Sequence, residues 1–101
     1  LVVDRDLDSA AETLAMLEAR GGRGSVWQAD VTGEDACRRI VETCMARHGR
    51  IDILHNNVGI GAGDTSATRM TEAVWERIFE TNLKSVMFTC KHALPAMRAQ
   101  G

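Results

Sequence analysis

Four short groups of residues in this 101-residue chain carry side chains that could do chemistry, and three of them stand where an apolar run gives out. Asp4 closes Leu1-Val2-Val3. Its carboxylate offers two acceptors that match the paired hydroxyls of a ribose and would repel a phosphate at the same place; the plainer reading is that it opens the following helix, helped by the N-terminal dipole. Arg5 beside it could pair with a sugar phosphate. Asp30 and Val31 follow the segment Gly24–Ala29. The carboxylate can accept from an exocyclic amine while Val31 supplies an apolar wall and a backbone N–H, a combination suited to a purine edge, or the pair forms a helix-capping turn. Asn56-Asn57-Val58-Gly59 ends the run that starts at Ile51. Gly59 lets backbone approach a flat ligand, and Asn57 can order the loop or meet a sugar through its main chain; a simple turn is the alternative. The following Gly59-Ile60-Gly61 is weak as a phosphate motif, because Asp64 stands where a third glycine belongs. Asn82 is the fourth feature. It lies on the helical stripe of Trp75, Ile78, Phe79, Leu83, Val86, Cys90, Leu94 and Met97, where an unpaired buried amide group costs about 1–3 kcal/mol. Either a neighbouring backbone or a functional site uses it.

These residues need elements that bring them together. "LVVD" reads as a strand. A helix follows over "RDLDSAAETLAMLEAR", with Ser9 and Glu12 in capping-box spacing and Leu7, Ala10, Leu14 and Leu17 at helical intervals. Gly21-Gly22 stops it. "GSVWQA" reads as a second strand, then Asp30–Gly33 as a turn with Thr32 as N-cap. Glu34 to His48 is a helix with Cys37, Ile40, Val41, Cys44 and Met45 on one face, ended by Gly49. "IDILH" is the third strand. A loop runs from Asn56 to about Arg69, and a long helix starts near Thr71, with Pro95 a candidate kink. Three strands alternating with three helices predict an α/β fold, a partial doubly wound parallel sheet of Rossmann-like type, with ligands beyond the carboxyl ends of the strands. All the groups above except Asn82 fall at that edge.

Composition narrows the partners. A formal net charge of −2 argues against nucleic acid and anionic membranes. Neither a bilayer-spanning run nor a signal peptide is present, so the expected location is the cytoplasm. Cys37, Cys44 and Cys90 are odd in number and lie in helical segments, as reduced core or near-core thiols. Cys44 and His48 share a helical face, but two ligands do not make a metal site, and no metal is expected.

"VVDRD", "DVT", "NNVG" and "ETNLKSVMFTCKHALPAM", in this order and at these intervals, resemble the short-chain dehydrogenases/reductases over essentially the whole chain. The resemblance implies that Asp4 recognises the adenosine ribose, that Asp30 and Val31 hold adenine, and that Asn57, Val58 and Gly59 border the cofactor, with Val58 in place of the family's alanine. Asn82 matches the active-site asparagine, which holds a water of the proton relay through its main-chain carbonyl. Arg5 remains a cofactor-binding candidate. NAD is the expected cofactor in preference to NADP. His55, where the family commonly has an aliphatic residue, is read as a partly buried histidine rather than an acid–base group.

The implied activity is hydride transfer between a nicotinamide cofactor and a small alcohol or carbonyl substrate by an NAD(P)-dependent oxidoreductase. The family's Gly-rich loop would precede Leu1, and its Ser, Tyr and Lys would follow Gly101; Lys84 and Lys91 are read as solvated helix positions. Residues 1–101 are therefore expected to be an internal fragment of one NAD(P)-binding Rossmann-fold domain, inactive and poorly stable alone. In the family's strand order 3-2-1-4-5 the strand at Ile51 does not neighbour the strand at Leu1. The long helix from Thr71 is the family's usual subunit contact, which implies a homo-oligomer, a tetramer. The alternative is a non-catalytic nucleotide-binding or interaction module. A phosphoacceptor domain with Asp4 or Asp30 as acceptor is disfavoured by the Asn-Asn-Val-Gly ending.

Overall fold

The computed structural model describes all residues, 1–101. Its elements are strand β1 (Val2–Asp4), helix α1 (Leu7–Glu18), strand β2 (Val26–Gln28), helix α2 (Glu34–His48), helix α3 (Glu72–Phe79), a π-helical turn (Glu80–Lys84) and helix α4 (Ser85–Gln100). β1 and β2 pair in parallel, Val2 with Val26, Val3 with Trp27 and Asp4 with Gln28. The ladder runs on past β1, because the Ala29 N–H donates to the Asp4 carbonyl at 3.0 Å. Parallel strands joined through a helix are the α/β arrangement expected, and both strands finish at one edge.

The third expected strand is different. Ile51–His55 makes no ladder hydrogen bonds, since no strand of this chain lies beside it. A β-strand is held by its neighbour. Here the segment is held by side chains from the long helix instead. The Ile51 N–H donates to Gln100 Oε1, and Gln100 Nε2 donates back to the Ile51 carbonyl, both at 2.8 Å.

Helix starts also depart from expectation. Asp6, not Ser9, caps α1, its carboxylate accepting from the Ser9 N–H at 3.0 Å. Ser9 thus occupies the first turn. Gly33 rather than Thr32 is the N-cap of α2, because the Thr32 hydroxyl is spent on Asp30. The stops hold: Gly21 (φ 83°) follows α1, and Gly49 closes α2 in the left-handed conformation (φ 77°) that glycine adopts without steric cost. Thr71 caps α3 through the Val74 N–H. α4 continues through Pro95.

The core lies between α2 and α4. One cluster joins Val31, Cys37 and Phe88; a second joins Val41, Ile51 and Ala93, flanked by Cys44, Met45, Leu54 and Met97. Only nine of 101 residues are buried, and the Cα radius of gyration is 15.4 Å against about 13 Å for a compact chain of this length. The molecule is a thin slab, 19 Å in its shortest dimension. The three cysteines are free thiols, Cys37 buried and the other two partly so.

Candidate functional site

At the end of β1, Asp4 is half-buried, and its Oδ1 accepts from the Asp6 N–H at 2.9 Å. Asp6 in turn caps α1. Both readings of Asp4 are therefore physically compatible: one oxygen shapes the turn into the helix, and Oδ2 makes no hydrogen bond in the chain. Arg5 is exposed, its carbonyl accepts from Gln28 Nε2 at 2.9 Å, and with Asp6, Leu7, Asp8 and Gln28 it lines an open recess of about 500 Å³ beyond the strand ends.

Asp30 lies past β2 on the same edge. Its Oδ1 accepts from the Thr32 N–H (2.9 Å) and the Thr32 hydroxyl (2.8 Å). These two bonds, first the backbone and then the side-chain one, hold the carboxyl below the usual aspartate range; slight burial opposes them and the Arg5 charge adds to them. Arg5 and Asp30 are thus electrostatic neighbours across the strand ends. The Val31 side chain is buried between Cys37 and Phe88, and its carbonyl accepts from Cys37 Sγ at 3.3 Å. The side chain serves the core, and its N–H has no acceptor in the chain.

The loop after Ile51–His55 carries the second group of candidate residues. Asn56 is the tied amide, its Oδ1 facing the Thr89 hydroxyl at 2.6 Å and its Nδ2 facing Cys90 Sγ at 3.9 Å. Asn57, Val58 and Gly59 are exposed and bind no protein side chain. A Cβ built on Gly59 would sit 3.7 Å from Asn82 Oδ1, an ordinary contact, so this glycine keeps the surface low rather than serving a strained backbone. His55 is exposed rather than partly buried.

Asn82 lies in the π-helical turn. It is exposed rather than buried, yet its amide is fully engaged: the Ile60 N–H donates to Oδ1 at 2.7 Å, and Nδ2 donates to the Ile60 carbonyl at 2.8 Å. The user of the amide is a neighbouring backbone, the one that carries the loop. π turns are rare and recur at functional sites.

The turn also explains why the apolar stripe does not form one buried face. Trp75, Phe79, Leu83 and Met87 recur every four residues. In a straight α-helix Trp75 and Met87 would diverge by about 120°; the extra residue taken up by the π turn returns about 100° of this, leaving them about 20° apart. The four stay on one side, exposed at 53, 42, 59 and 51%, with Trp75 stacked on Phe79 at 4.3 Å between centroids.

The candidate residues therefore form two groups: Asp4, Arg5, Asp30 and Val31 beyond the paired strands, and Asn57–Gly59 with Asn82 beside the helix. The packing of Val31 on Phe88 joins them. Sequence reasoning missed Thr89 and Gln100, which fix the second group; a lone hydroxyl on the otherwise apolar Phe88–Cys90 stretch was the available signal for Thr89. It also missed Arg77, which donates to the Ala62 carbonyl and holds the loop farther on. No group of three or more metal-ligating side chains occurs.

The sequence model of the short chain dehydrogenases matches residues 1–101, and the chain belongs to that family. A 3beta-hydroxysteroid dehydrogenase of Mediterraneibacter gnavus is 26% identical over all 101 residues, and the chain spans 37% of that relative's length. A crystal structure from Burkholderia xenovorans, assigned to the short-chain dehydrogenases/reductases, superposes with a TM-score of 0.91 at 40% identity, covering 98% of this chain and 37% of that one. Two further solved neighbours hold cofactors. An NADH-dependent reductase from alginate metabolism complexed with NAD matches with a TM-score of 0.78 and 34% identity over 89% of this chain and 37% of its own. A metagenomic short-chain oxidoreductase in complex with NADP matches with 0.86 and 28% over 97% and 44%.

Proposed function

We propose that this chain forms the adenosine-side edge of an NAD(P)-dependent oxidoreductase that moves hydride between a nicotinamide cofactor and a small alcohol or carbonyl compound, with NAD preferred. The observation that carries the reading is the pairing, at one sheet edge, of an Asp4 oxygen free of protein partners with a free Asp30 oxygen and a free Val31 N–H. The first suits ribose hydroxyls. The second and third are an acceptor and a donor side by side, as a purine edge requires. Thr32 fixes the Asp30 carboxylate in its ionised, accepting form.

When bound, the cofactor supplies or accepts the hydride. The protein's part is to hold and orient: Asp4, Asp30 and Val31 at the adenosine end, Asn57–Gly59 along the cofactor's flank, and Asn82, placed by the π turn, beside that flank. NAD is favoured because the Asp4 carboxylate repels a 2′-phosphate. The exposed face of Trp75, Phe79, Leu83 and Met87 fits contact with a second copy in a homo-oligomer, a tetramer as is usual for the family. Three free thiols suit a reducing cytoplasm, and no helix is long and apolar enough to cross a membrane. For these residues alone, the non-catalytic nucleotide-binding reading is favoured by one observation: the 101 residues contain no tyrosine.

The test is titration of the whole protein with NADH and NADPH, then NAD- and NADP-linked oxidation of a panel of small alcohols. NADH should bind more tightly, and Asp4→Ala should narrow the preference by about tenfold or more, as removing a like charge from a phosphate predicts. Equal affinities in the unsubstituted protein would sink the NAD preference, and no binding of either nucleotide would sink the reading as a whole.

A further inference from the structure

The segment from Ile51 to Ile60 runs antiparallel to the helix from Asn82 to Gln100 and is fastened to it at three polar rungs: Gln100 on the Ile51 backbone, Thr89 on Asn56, and Asn82 on the Ile60 backbone. The spacings agree. Eighteen helical residues rise about 27 Å and nine extended residues span about 30 Å, so the two can stay in step along their length. The outer rungs grip backbone. The middle rung alone grips a side chain, and it lies directly before the exposed Asn57–Gly59.

We propose that Thr89 is a positioning residue that sets the Asn57–Gly59 loop by holding Asn56; its consequence for cofactor binding rests on the reading above that this loop borders the cofactor. Thr89 is buried, at 6% exposure, and its hydroxyl has Asn56 Oδ1 at 2.6 Å, the Val86 carbonyl at 3.0 Å and the Ser85 carbonyl at 3.1 Å. One proton is shared among three oxygens, and the shortest contact is the one to the loop. With the Asn56 amide turned over, its NH₂ would donate to the same hydroxyl and leave the proton to the helix carbonyls, so the contact is a hydrogen bond in either orientation. Asn56 has no other firm tether, because Cys90 Sγ lies 3.9 Å away. Asn57, Val58 and Gly59 have none at all. Within residues 1–101 the side-chain contacts that flank them are Thr89 before and Asn82 after.

The experiment compares Thr89→Val, which keeps the shape and removes the hydroxyl, with Thr89→Ser, which keeps the hydroxyl, in the whole protein. Backbone amide NMR signals are followed in Asn56–Ile60 and separately in α2, and NADH affinity is measured by its fluorescence. Thr89→Val should shift the Asn56–Ile60 amide signals and lower their order parameters toward the flexible range, below about 0.6, leave α2 unchanged, and weaken NADH several-fold. Thr89→Ser should restore both. Unchanged loop signals, an equal change in α2, or failure of serine to rescue would each overturn the proposal. If the unsubstituted protein binds no NADH, the cofactor reading fails by itself, and the loop signals still decide for or against Thr89.

Discussion

The two halves of the candidate edge are held by different chemistry. Asp4 and Asp30 follow strands joined by a backbone ladder, and the turn at each is fixed by its own carboxylate reaching two residues ahead, to the Asp6 N–H and the Thr32 N–H. Asn57–Gly59 follow a segment with no ladder, kept in place by amides and a hydroxyl 22 to 49 residues away in sequence. The first half is positioned locally and the second by the long helix. Disturbing the helix should therefore move the second half and spare the first, while disturbing the joint between them should lose both.

That joint is Phe88, packed on Val31 from one half and on Cys37 of α2. A second cluster, Val41 and Ile51 with Ala93, also holds the long helix to α2, but Phe88 is the residue of that helix that packs on Val31. Phe88→Ala should cost about 3–5 kcal/mol, a large share of the stability of any small domain. The expected outcome is loss of cooperative urea unfolding followed by circular dichroism. Retention of a cooperative transition would show that the halves are joined elsewhere.

Next in size is Gln100→Ala, which removes both bonds to Ile51, itself 8% exposed. It leaves a buried N–H and C=O without partners, at about 1–3 kcal/mol. Asn82→Ala removes the matching bonds to the more exposed Ile60, where water can replace them, so the loss should be about 1 kcal/mol or less and confined to the loop. Amide exchange measures both: the Gln100 variant should speed exchange at Ile51 and in α4, the Asn82 variant at Ile60 alone. Equal effects at the two ends would contradict the distinction in burial.

The same contrast explains what the sequence disclosed. Local signals were legible: the first strand–helix–strand–helix alternation, Gly21-Gly22 and Gly49 as stops, Thr71 as a cap, and Asp4 and Asp30 at one sheet edge. Where two local signals competed, the wrong one was preferred. Asp6 and Ser9 could each cap a helix, and Asp6 won because Asp4 already bends the chain at its N–H; Thr32 lost its capping role to Asp30. Long-range signals were not legible, because no spacing within Ile51–Ile60 announces that Gln100, Thr89 and Asn82 will grip it. The π turn was hidden by assuming one helical period throughout, although Trp75, Phe79, Leu83 and Met87 at intervals of four marked the extra residue. The Asn82 amide was read correctly as needing a partner and wrongly as buried, because its partner is an exposed loop.

The smallest expected effect probes the locally held half. The Asp30 carboxyl is lowered first by the Thr32 N–H and then by the Thr32 hydroxyl. A group whose folded pKa lies below its unfolded value of about 3.9 stabilises the fold above that value and loses the contribution as pH falls through the folded pKa. The contribution should thus fade only in acid, below about pH 4. Thr32→Val removes the hydroxyl and keeps the backbone donor, so the Asp30 pKa should move up toward the ordinary range while staying below it, and the acid limb of the stability profile should move up with it. Carboxyl carbon NMR titration reads the shift directly. Because Asp30 is exposed, the change in stability should be small and the change in pKa clear. If the amides of the Asn57–Gly59 loop shift as well, the two halves of the edge are coupled through Val31 rather than independently held.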